Sequence, residues 1–178
     1  MALRDNYQGR ASPHMNPYMY SIPITAGISV SYILALIAWK NNWPASVIGL
    51  AIGIFALIHI PIMYLTHRMW TAVQDGNARM TPRKAIAVFF IPGLNIYWLF
   101  PCIHGFAKDC NAFIERNTIH TPMLSTRVFF LYPALWMVTF IPYVGILTIP
   151  ICIALIPIII STTVRALNAI SVHRATHE

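Results

Sequence analysis

Long apolar segments, separated by short polar ones, dominate the pattern of this chain. Residues 24–39 and 46–65 are almost continuously apolar, and a polar turn at 40–44 separates them. A helix that crosses a membrane needs about 20 predominantly apolar residues, so runs of this length are typical of spanning helices. The two runs predict a helical hairpin, with Pro61 interrupting its second helix near the end.

The segment after this hairpin is more polar but keeps a helical period. Trp70 and Val73 fall on one face of a predicted helix, which we expect to lie at the membrane interface and to end near Gly76. A new helix should then begin at Pro82, because threonine is a good helix cap and proline is favoured at the first helical position. Thr81 is the predicted cap.

Two later apolar segments each contain a run that should break a helix. Residues 90–95 read Phe-Ile-Pro-Gly-Leu-Asn, and residues 140–145 repeat the outline as Phe-Ile-Pro-Tyr-Val-Gly. Proline removes a backbone donor and clashes with the preceding turn, while asparagine tolerates turn conformations and bonds locally. The predicted break residues are Pro92, Gly93, Asn95, Pro142 and Gly145.

Each break is compatible with either a hairpin turn or a kink, and the basic residues favour hairpins. With two hairpin turns, the N-terminus, residues 66–84, residues 108–127 and the C-terminus share one side. That side holds eleven of the twelve Lys and Arg residues, and only Lys40 lies opposite. The positive-inside rule favours this imbalance. The predicted fold is all-α and polytopic, with three hairpins and cytoplasmic termini; a single kinked span over 84–107 is the alternative.

Composition supports the membrane class. The chain is 57% hydrophobic and 10% charged, whereas soluble domains carry about 25% charged residues. The net charge of +7 does not indicate nucleic acid, because the basic residues lie at the ends of apolar segments. We expect an irregular arm over 1–22, one membrane domain over 23–170 and a tail over 171–178.

The stretch 103–115 predicts an amphipathic helix that leaves the bilayer. Its polar stripe comprises His104, Lys108, Asn111 and Glu115. The opposite, apolar stripe comprises Ile103, Phe106, Cys110, Phe113 and Ile114. This separation of polar and apolar positions is the pattern of a helix with one buried face.

Clustered charge and two aromatic residues predict a docking surface for a partner or for anionic lipid headgroups. Its residues are Arg68, Trp70, Gln74, Asp75, Arg79, Arg83, Lys84 and Phe113. The alternative is ordinary solvated helix ends, with a local pair between Asp75 and Arg79 at a spacing of four residues.

Cofactor chemistry is not expected. His59 and His104 could ligate a haem as a facing pair, but one such pair is a weak signal, and the three cysteines fit neither a zinc pattern nor a disulfide framework. The sequence contains no phosphate loop and no nucleophile with a matching base. We therefore predict a protein without enzymatic activity, cofactor or metal.

Several motifs resemble a family of small, uncharacterised multipass membrane proteins of bacteria. They are Trp-Thr-Ala-Val-Gln-Asp-Gly-Asn-Ala-Arg at 70–79, Thr-Pro-Arg-Lys-Ala at 81–85 and Phe-Ile-Pro-Gly-Leu-Asn-Ile-Tyr-Trp at 90–98. Residues 105–109 and 166–169 extend the resemblance, whereas Arg83 stands where the family pattern has glycine. The resemblance implies a location in the bacterial inner membrane and carries no activity.

The predicted function is that of an accessory or scaffold subunit of a larger membrane complex. Aromatic and methionine side chains are abundant, and such residues are enriched at contact surfaces. The expected partners are the lipid bilayer and either other membrane subunits or further copies of this chain. The alternatives are a small transporter or channel built on the two broken helices, and a hairpin protein that shapes the bilayer.

Overall fold

The computed structural model describes residues 14–40, 45–87, 91, 94–141 and 143–177, and no strand occurs among them. Their regular structure is helical, which confirms the predicted all-α class. In chain order the elements are α1 (Pro17–Lys40), α2 (Ala45–Ala72), α3 (Pro82–Ala87), α4 (Leu94–Leu99), a π-helical turn (Phe100–His104), α5 (Gly105–Arg116), α6 (Thr126–Val138) and α7 (Val144–His177).

The first helix begins earlier than the sequence predicts. The expected irregular arm over 1–22 is wrong for its last residues, because α1 starts at Pro17. Asn16 caps this helix: its side-chain oxygen accepts the N–H of Tyr18 at 3.0 Å. Pro17 takes the first helical position, where a missing N–H costs nothing. Residues 1–13 of the predicted arm lie outside the described residues.

The second helix continues from Ala45 to Ala72 and passes Pro61 without ending. The prediction of a separate interfacial helix ending near Gly76 is therefore wrong. Its residues form the last turns of α2, where Met69 and Trp70 are buried in the core. The turn beyond α2 contains Gly76 with a φ of 92°, a backbone conformation that glycine adopts readily. α1 and α2 pack against each other.

The segment between α2 and α5 folds back on itself. α3 begins at Pro82, and the Thr81 hydroxyl accepts the N–H of the third helical residue at 3.3 Å, as predicted. Arg79, just before α3, forms an ion pair with Asp109 in α5. A single crossing of the bundle would place these two residues at opposite ends. The alternative of one kinked span over 84–107 therefore conflicts with this contact.

The π-helical turn joins α4 to α5 within one continuous helical stretch. It contains Pro101, which has no N–H to donate, and the N–H of Gly105 bonds to the carbonyl oxygen of Phe100. This longer bond is the mark of a π turn. α5 confirms the predicted amphipathic helix. Its buried residues are Gly105, Phe106, Ala107, Cys110, Phe113 and Ile114, and Lys108 and Glu115 are exposed.

The last two helices pack against each other around the second predicted break. Five residues connect α6 to α7 (139–143), a length typical of a helical hairpin. The N–H of Gly145 donates to the carbonyl oxygen of Ile141 at 2.9 Å. A β-carbon on Gly145 would overlap the backbone carbonyl oxygen of Thr139. Glycine is therefore required here by the close approach of two backbone segments.

The first and last helices run in opposite directions. Asn168 of α7 bonds to Met15 beside the start of α1, whereas Tyr32 of α1 donates to the carbonyl oxygen of Ile146 at the start of α7. One end of the bundle therefore collects the start of α1 and the last third of α7.

α7 continues through the predicted C-terminal tail (171–178) as far as His177. Tertiary contacts hold its last turns in place. Ile170 is buried, and Arg174 donates a hydrogen bond to the loop after α2. A sequence pattern that ends its apolar run near 170 does not reveal such contacts.

Two helices in the described part of the chain are long and apolar enough to cross a membrane. They are the stretches 17–37 in α1 and 144–176 in α7. α6 is equally apolar but shorter. Many large apolar side chains on α1, α2, α6 and α7 point away from the protein, including Ile33, Leu50, Phe130 and Leu147.

Candidate functional site at one end of the bundle

Polar side chains from several parts of the chain meet at the end of the bundle where α1 starts and α2 ends. They connect the loop after α2 to α5, to the start of α6 and to α7. We name this cluster the polar cap. Its residues are Gln74, Asp75, Arg79, Asp109, Asn111, Arg116, Asn168 and Arg174.

Gln74 closes the end of α2. Its side-chain nitrogen donates to the carbonyl oxygens of Trp70 and Met80, both at 2.9 Å. The last carbonyl groups of a helix lack partners within the helix, so this bond satisfies one of them. The carbonyl oxygen of Gln74 accepts a hydrogen bond from Arg174 at 3.2 Å. Gln74 therefore joins the end of α2 to the start of α3 and to α7.

Asp75 pairs with α5. One of its carboxylate oxygens lies 2.6 Å from Nη2 and 3.2 Å from Nε of Arg116, and the other accepts the N–H of Asn77 at 2.8 Å. Burial raises the pKa of Asp75, but the hydrogen bonds from Asn77 and Arg116 outweigh this effect. The pKa of the carboxyl group is consequently below its ordinary value of 3.8. Asp75 is therefore charged at neutral pH.

We expect Asp75→Asn to destabilise the protein by about 0.5–1 kcal/mol at neutral pH, because Arg116 is 42% exposed and water screens the ion pair. A lowered carboxyl pKa stabilises the fold fully above 3.8. This contribution is lost as the pH falls through the folded-state pKa. Thermal unfolding in detergent should show the gap between wild type and variant closing below about pH 4. Glu115→Gln, at an exposed site, is the control and should show almost no gap. A gap that is independent of pH would contradict the assignment.

Arg79 and Asp109 form the second ion pair of the cap. Nε and Nη2 of Arg79 both lie 2.7 Å from the same carboxylate oxygen of Asp109, Oδ1. The second carboxylate oxygen, Oδ2, accepts the backbone N–H of Arg79 at 3.0 Å. The Arg79 side chain passes over Gly105, within van der Waals distance of a β-carbon at that position, and reaches Asp109. The predicted local pair between Asp75 and Arg79 does not form, because each residue bonds to α5 instead.

An aromatic layer supports the polar cap. Trp70 is 0% exposed and meets the ring of Phe106 edge to face at 5.8 Å. Phe113 is 4% exposed, and the Arg174 guanidinium lies over its ring at 5.5 Å. The prediction that Trp70 and Phe113 are exposed docking residues is therefore wrong. α2 and α5 direct these two side chains toward the core. The buried rings pack beneath the polar side chains of the cap and so stabilise it.

Two asparagines hold the backbone of distant segments. Asn111 donates to the carbonyl oxygen of Leu124 and accepts its N–H, at 2.9 and 2.8 Å. Asn168 does the same for Met15, with both distances 2.8 Å. An amide side chain matches the donor and acceptor of a peptide group. These two clamps fix the entrance to α6 and the entrance to α1.

Other predicted docking residues lie at the edge of the cap. Arg83 and Lys84 are exposed on α3, and Arg68 is half-buried on α2 with a weak contact to the sulfur of Met15 at 3.8 Å. Gln74, Asp75 and Arg79 are part of the cap itself and are bonded within the protein. Docking through Arg68, Arg83 and Lys84 stays a prediction.

Of the predicted break residues, Gly145 is the one whose surroundings are described in full. Pro92, Gly93 and Pro142 lie outside the described residues, and so does the side chain of Asn95, whose backbone belongs to α4. Gly145 is described and is buried against Thr139.

The histidines predicted as an alternative haem pair lie on different helical segments. The Nδ1 atom of His104 is 3.2 Å from the carbonyl oxygen of Thr126, and its ring packs edge-on against Phe130. His59 is half-buried in α2. In the described part of the chain, no group of three or more His, Cys, Asp or Glu side chains is arranged to hold a metal ion. The absence of a cofactor stays a prediction, with a haem between His59 and His104 as its alternative.

Sequence reasoning missed the partners that complete the cap, namely Asp109, Arg116, Asn168 and Arg174. One signal was present: the chain has five acidic residues against twelve basic ones. With so few acids, each of Asp75 and Asp109 had several possible basic partners, and spacing along one helix was a poor guide to the choice.

We compared the chain with known proteins in three ways. A scan against protein-family models, a search of curated proteins and a search of solved structures each found no match.

Proposed function

We propose that the chain is a polytopic membrane protein of three helical hairpins, embedded in the inner membrane of a bacterium. The observation that carries this proposal is the outward-facing apolar surface of the long helices. Only 17% of the apolar window in α1 and 33% of that in α7 are buried. A core helix of a soluble protein buries most of such a surface, whereas lipid can cover it.

The orientation follows from charge. The exposed basic residues of the described chain that lie beside the polar cap are Arg83, Lys84, Lys108, Arg127 and Arg165. Short loops rich in Lys and Arg stay in the cytoplasm. This charge distribution supports a cytoplasmic location for the polar cap and for both chain termini.

The role we propose is structural: an accessory or scaffold subunit, without catalysis, that packs against another membrane subunit or another copy of this chain. The polar side chains of the cap bond to one another and to the backbone, so their chemistry is used to hold loops and helix ends together. The surface offered to partners consists of apolar and aromatic residues on the outside of the helices, such as Phe130, Leu131 and Leu147.

A second candidate role is to shape the bilayer, and the short elements favour it. The ion pair between Arg79 and Asp109 closes a folded-back segment at the cap. α6 starts beside the cap and has 13 residues, which span about 20 Å of a hydrocarbon core of about 30 Å. The protein would then occupy more volume in the leaflet on the cap side than in the opposite leaflet. A protein with this distribution of volume has the shape of a wedge.

Photo-crosslinking from three exposed positions tests the subunit role. We expect a crosslinking side chain at Ile33 in α1, Leu50 in α2 or Leu147 in α7 to capture one defined polypeptide from at least one helix face. A second copy of this chain would identify a self-associating scaffold, and a different chain would identify an accessory subunit.

Thiol labelling tests the orientation. An impermeant thiol reagent, added outside the cells, should label a cysteine placed at position 41 and not one placed at position 118.

The same experiment distinguishes the candidates. Adducts with lipid alone at all three positions would contradict the subunit role and favour the wedge. Absence of lipid and protein adducts, with the chain found in the soluble fraction, would contradict membrane insertion. Labelling of position 118 from outside intact cells would contradict the orientation.

A further inference from the structure

Where the first turns of α1 pack against the last turns of α2, two phenol rings and one guanidinium group lie near one another. Tyr20 of α1 stacks on Tyr64 of α2, with ring centroids 6.3 Å apart and planes 9° from parallel. Arg68 lies one helical turn beyond Tyr64 on the same face of α2. Arg68 also contacts Met15, just before α1, through a guanidinium nitrogen that lies 3.8 Å from the Met15 sulfur. Tyr64 and Arg68 of α2 therefore both lie against the start of α1.

The guanidinium of Arg68 is not matched by a protein anion among the described residues. Its described contact is to the sulfur of Met15 at 3.8 Å, and a thioether is a weak acceptor. The two ion pairs in the described part of the chain belong to Arg79 and Arg116. A half-buried arginine with several donors available favours a bidentate oxyanion such as a phosphate group.

An apolar stripe leads away from this arginine along α2. Leu57, Ile60 and Tyr64 lie on the same helix face as Arg68, and all three are more than half exposed. The distance from Arg68 to Ile60 is about 12 Å along the helix axis. A phosphate bound at Arg68 would therefore lie at one end of this apolar stripe, and Tyr64 would lie between the phosphate and Ile60. Tyrosine is enriched at this level of a membrane, between headgroups and acyl chains.

We propose that this surface, where α1 meets α2, binds one anionic phospholipid: Arg68 and the hydroxyls of Tyr20 and Tyr64 hold its headgroup phosphate, and an acyl chain lies on Leu57 and Ile60. The proposal rests on the proposed membrane location and adds a specific lipid site to it. The apolar stripe favours a lipid over free phosphate, because a small anion would leave Leu57 and Ile60 uncovered. Basic clefts between membrane helices are known to suit such headgroups.

Lipid binding to the purified full chain tests the site. Native mass spectrometry in detergent would compare phosphatidylglycerol with phosphatidylcholine of identical acyl chains. We expect the wild type to prefer phosphatidylglycerol by about tenfold, the value of one charge-assisted hydrogen-bonded contact. Arg68→Gln should abolish this preference, and Arg68→Lys should keep part of it, because lysine retains the charge without the bidentate geometry. Tyr64→Phe should weaken binding by about threefold, since it removes only the hydroxyl.

Arg127→Gln is the matched control, because it removes the same charge from an exposed site on α6 near the same end of the bundle. It should change the preference by less than about twofold. An unchanged preference in Arg68→Gln, or an equal loss in Arg127→Gln, would overturn the site. Displacement of the bound lipid by millimolar inorganic phosphate would show that the site selects a soluble anion. If the chain inserts into membranes but shows none of these effects, the lipid site is wrong and the membrane proposal stands; failure to insert overturns both.

Discussion

Replacing Trp70 with alanine is expected to destabilise the protein by about 3–5 kcal/mol, the usual range for a fully buried tryptophan. The side chain is completely buried and meets Phe106 edge to face. Its removal leaves a cavity directly below the turn that Gln74 closes. Unlike the loss of one ion pair, this change weakens the support of the whole polar cap. Thermal unfolding in detergent should show a midpoint lowered by roughly 10 °C.

Tyr97→Ala provides the comparison for Trp70→Ala. Tyr97 is also a large aromatic residue. It lies on the short helix α4 and is 63% exposed. Surface substitutions usually change stability by less than about 0.5 kcal/mol, so this variant should unfold close to the wild type. Equal losses in the two variants would show that Trp70 does not anchor the cap. Trp70→Phe should lie between them, because the ring contact with Phe106 is partly kept.

Gly145→Ala is expected to cost about 1–3 kcal/mol, because one added methyl group overlaps a backbone atom. The new β-carbon would overlap the carbonyl oxygen of Thr139. A flexible side chain could move aside at little cost, but a backbone carbonyl moves only with its turn. The hairpin of α6 and α7 would therefore have to open or shift. The measurement is the midpoint of thermal unfolding in detergent.

Gly53→Ala should have the opposite effect. Gly53 lies inside α2 and has open space where its β-carbon would stand. Alanine is favoured over glycine in a helix interior by about 0.5–1 kcal/mol, so the variant should be slightly more stable. A Gly145→Ala variant as stable as Gly53→Ala would contradict the close approach at the turn.

Several features could be predicted because they depend on neighbours in the sequence. Thr81 and Pro82 specify the start of α3 through the geometry of a single turn. The apolar spacing of 103–115 predicts α5 and its buried face for the same reason: side chains three and four positions apart share one side of a helix. The all-α class could be predicted from apolar runs of about 20 residues, a length typical of single helices.

The extent of the terminal helices depended on contacts that no local pattern contains. The apolar run of α7 fades near residue 170, yet Arg174 bonds to Gln74 and lies over Phe113, which holds the last turns in helical form. At the other end of the chain, the amide of Asn168 clamps Met15 beside the start of α1. Each of these contacts joins residues that are far apart in sequence.

The identity of each charged pair was decided by tertiary structure alone. Asp75 and Arg79 stand four positions apart, which would suit a pair on one helix, but α2 has already ended before Asp75. The loop lies across α5, so Asp75 reaches Arg116 and Arg79 reaches Asp109. Sequence by itself determined the all-α class, the start of α3 and the buried face of α5. Only the packing of distant segments decided that Trp70 is buried and that the cap is bonded within itself, because contact across a fold depends on where loops place their helices.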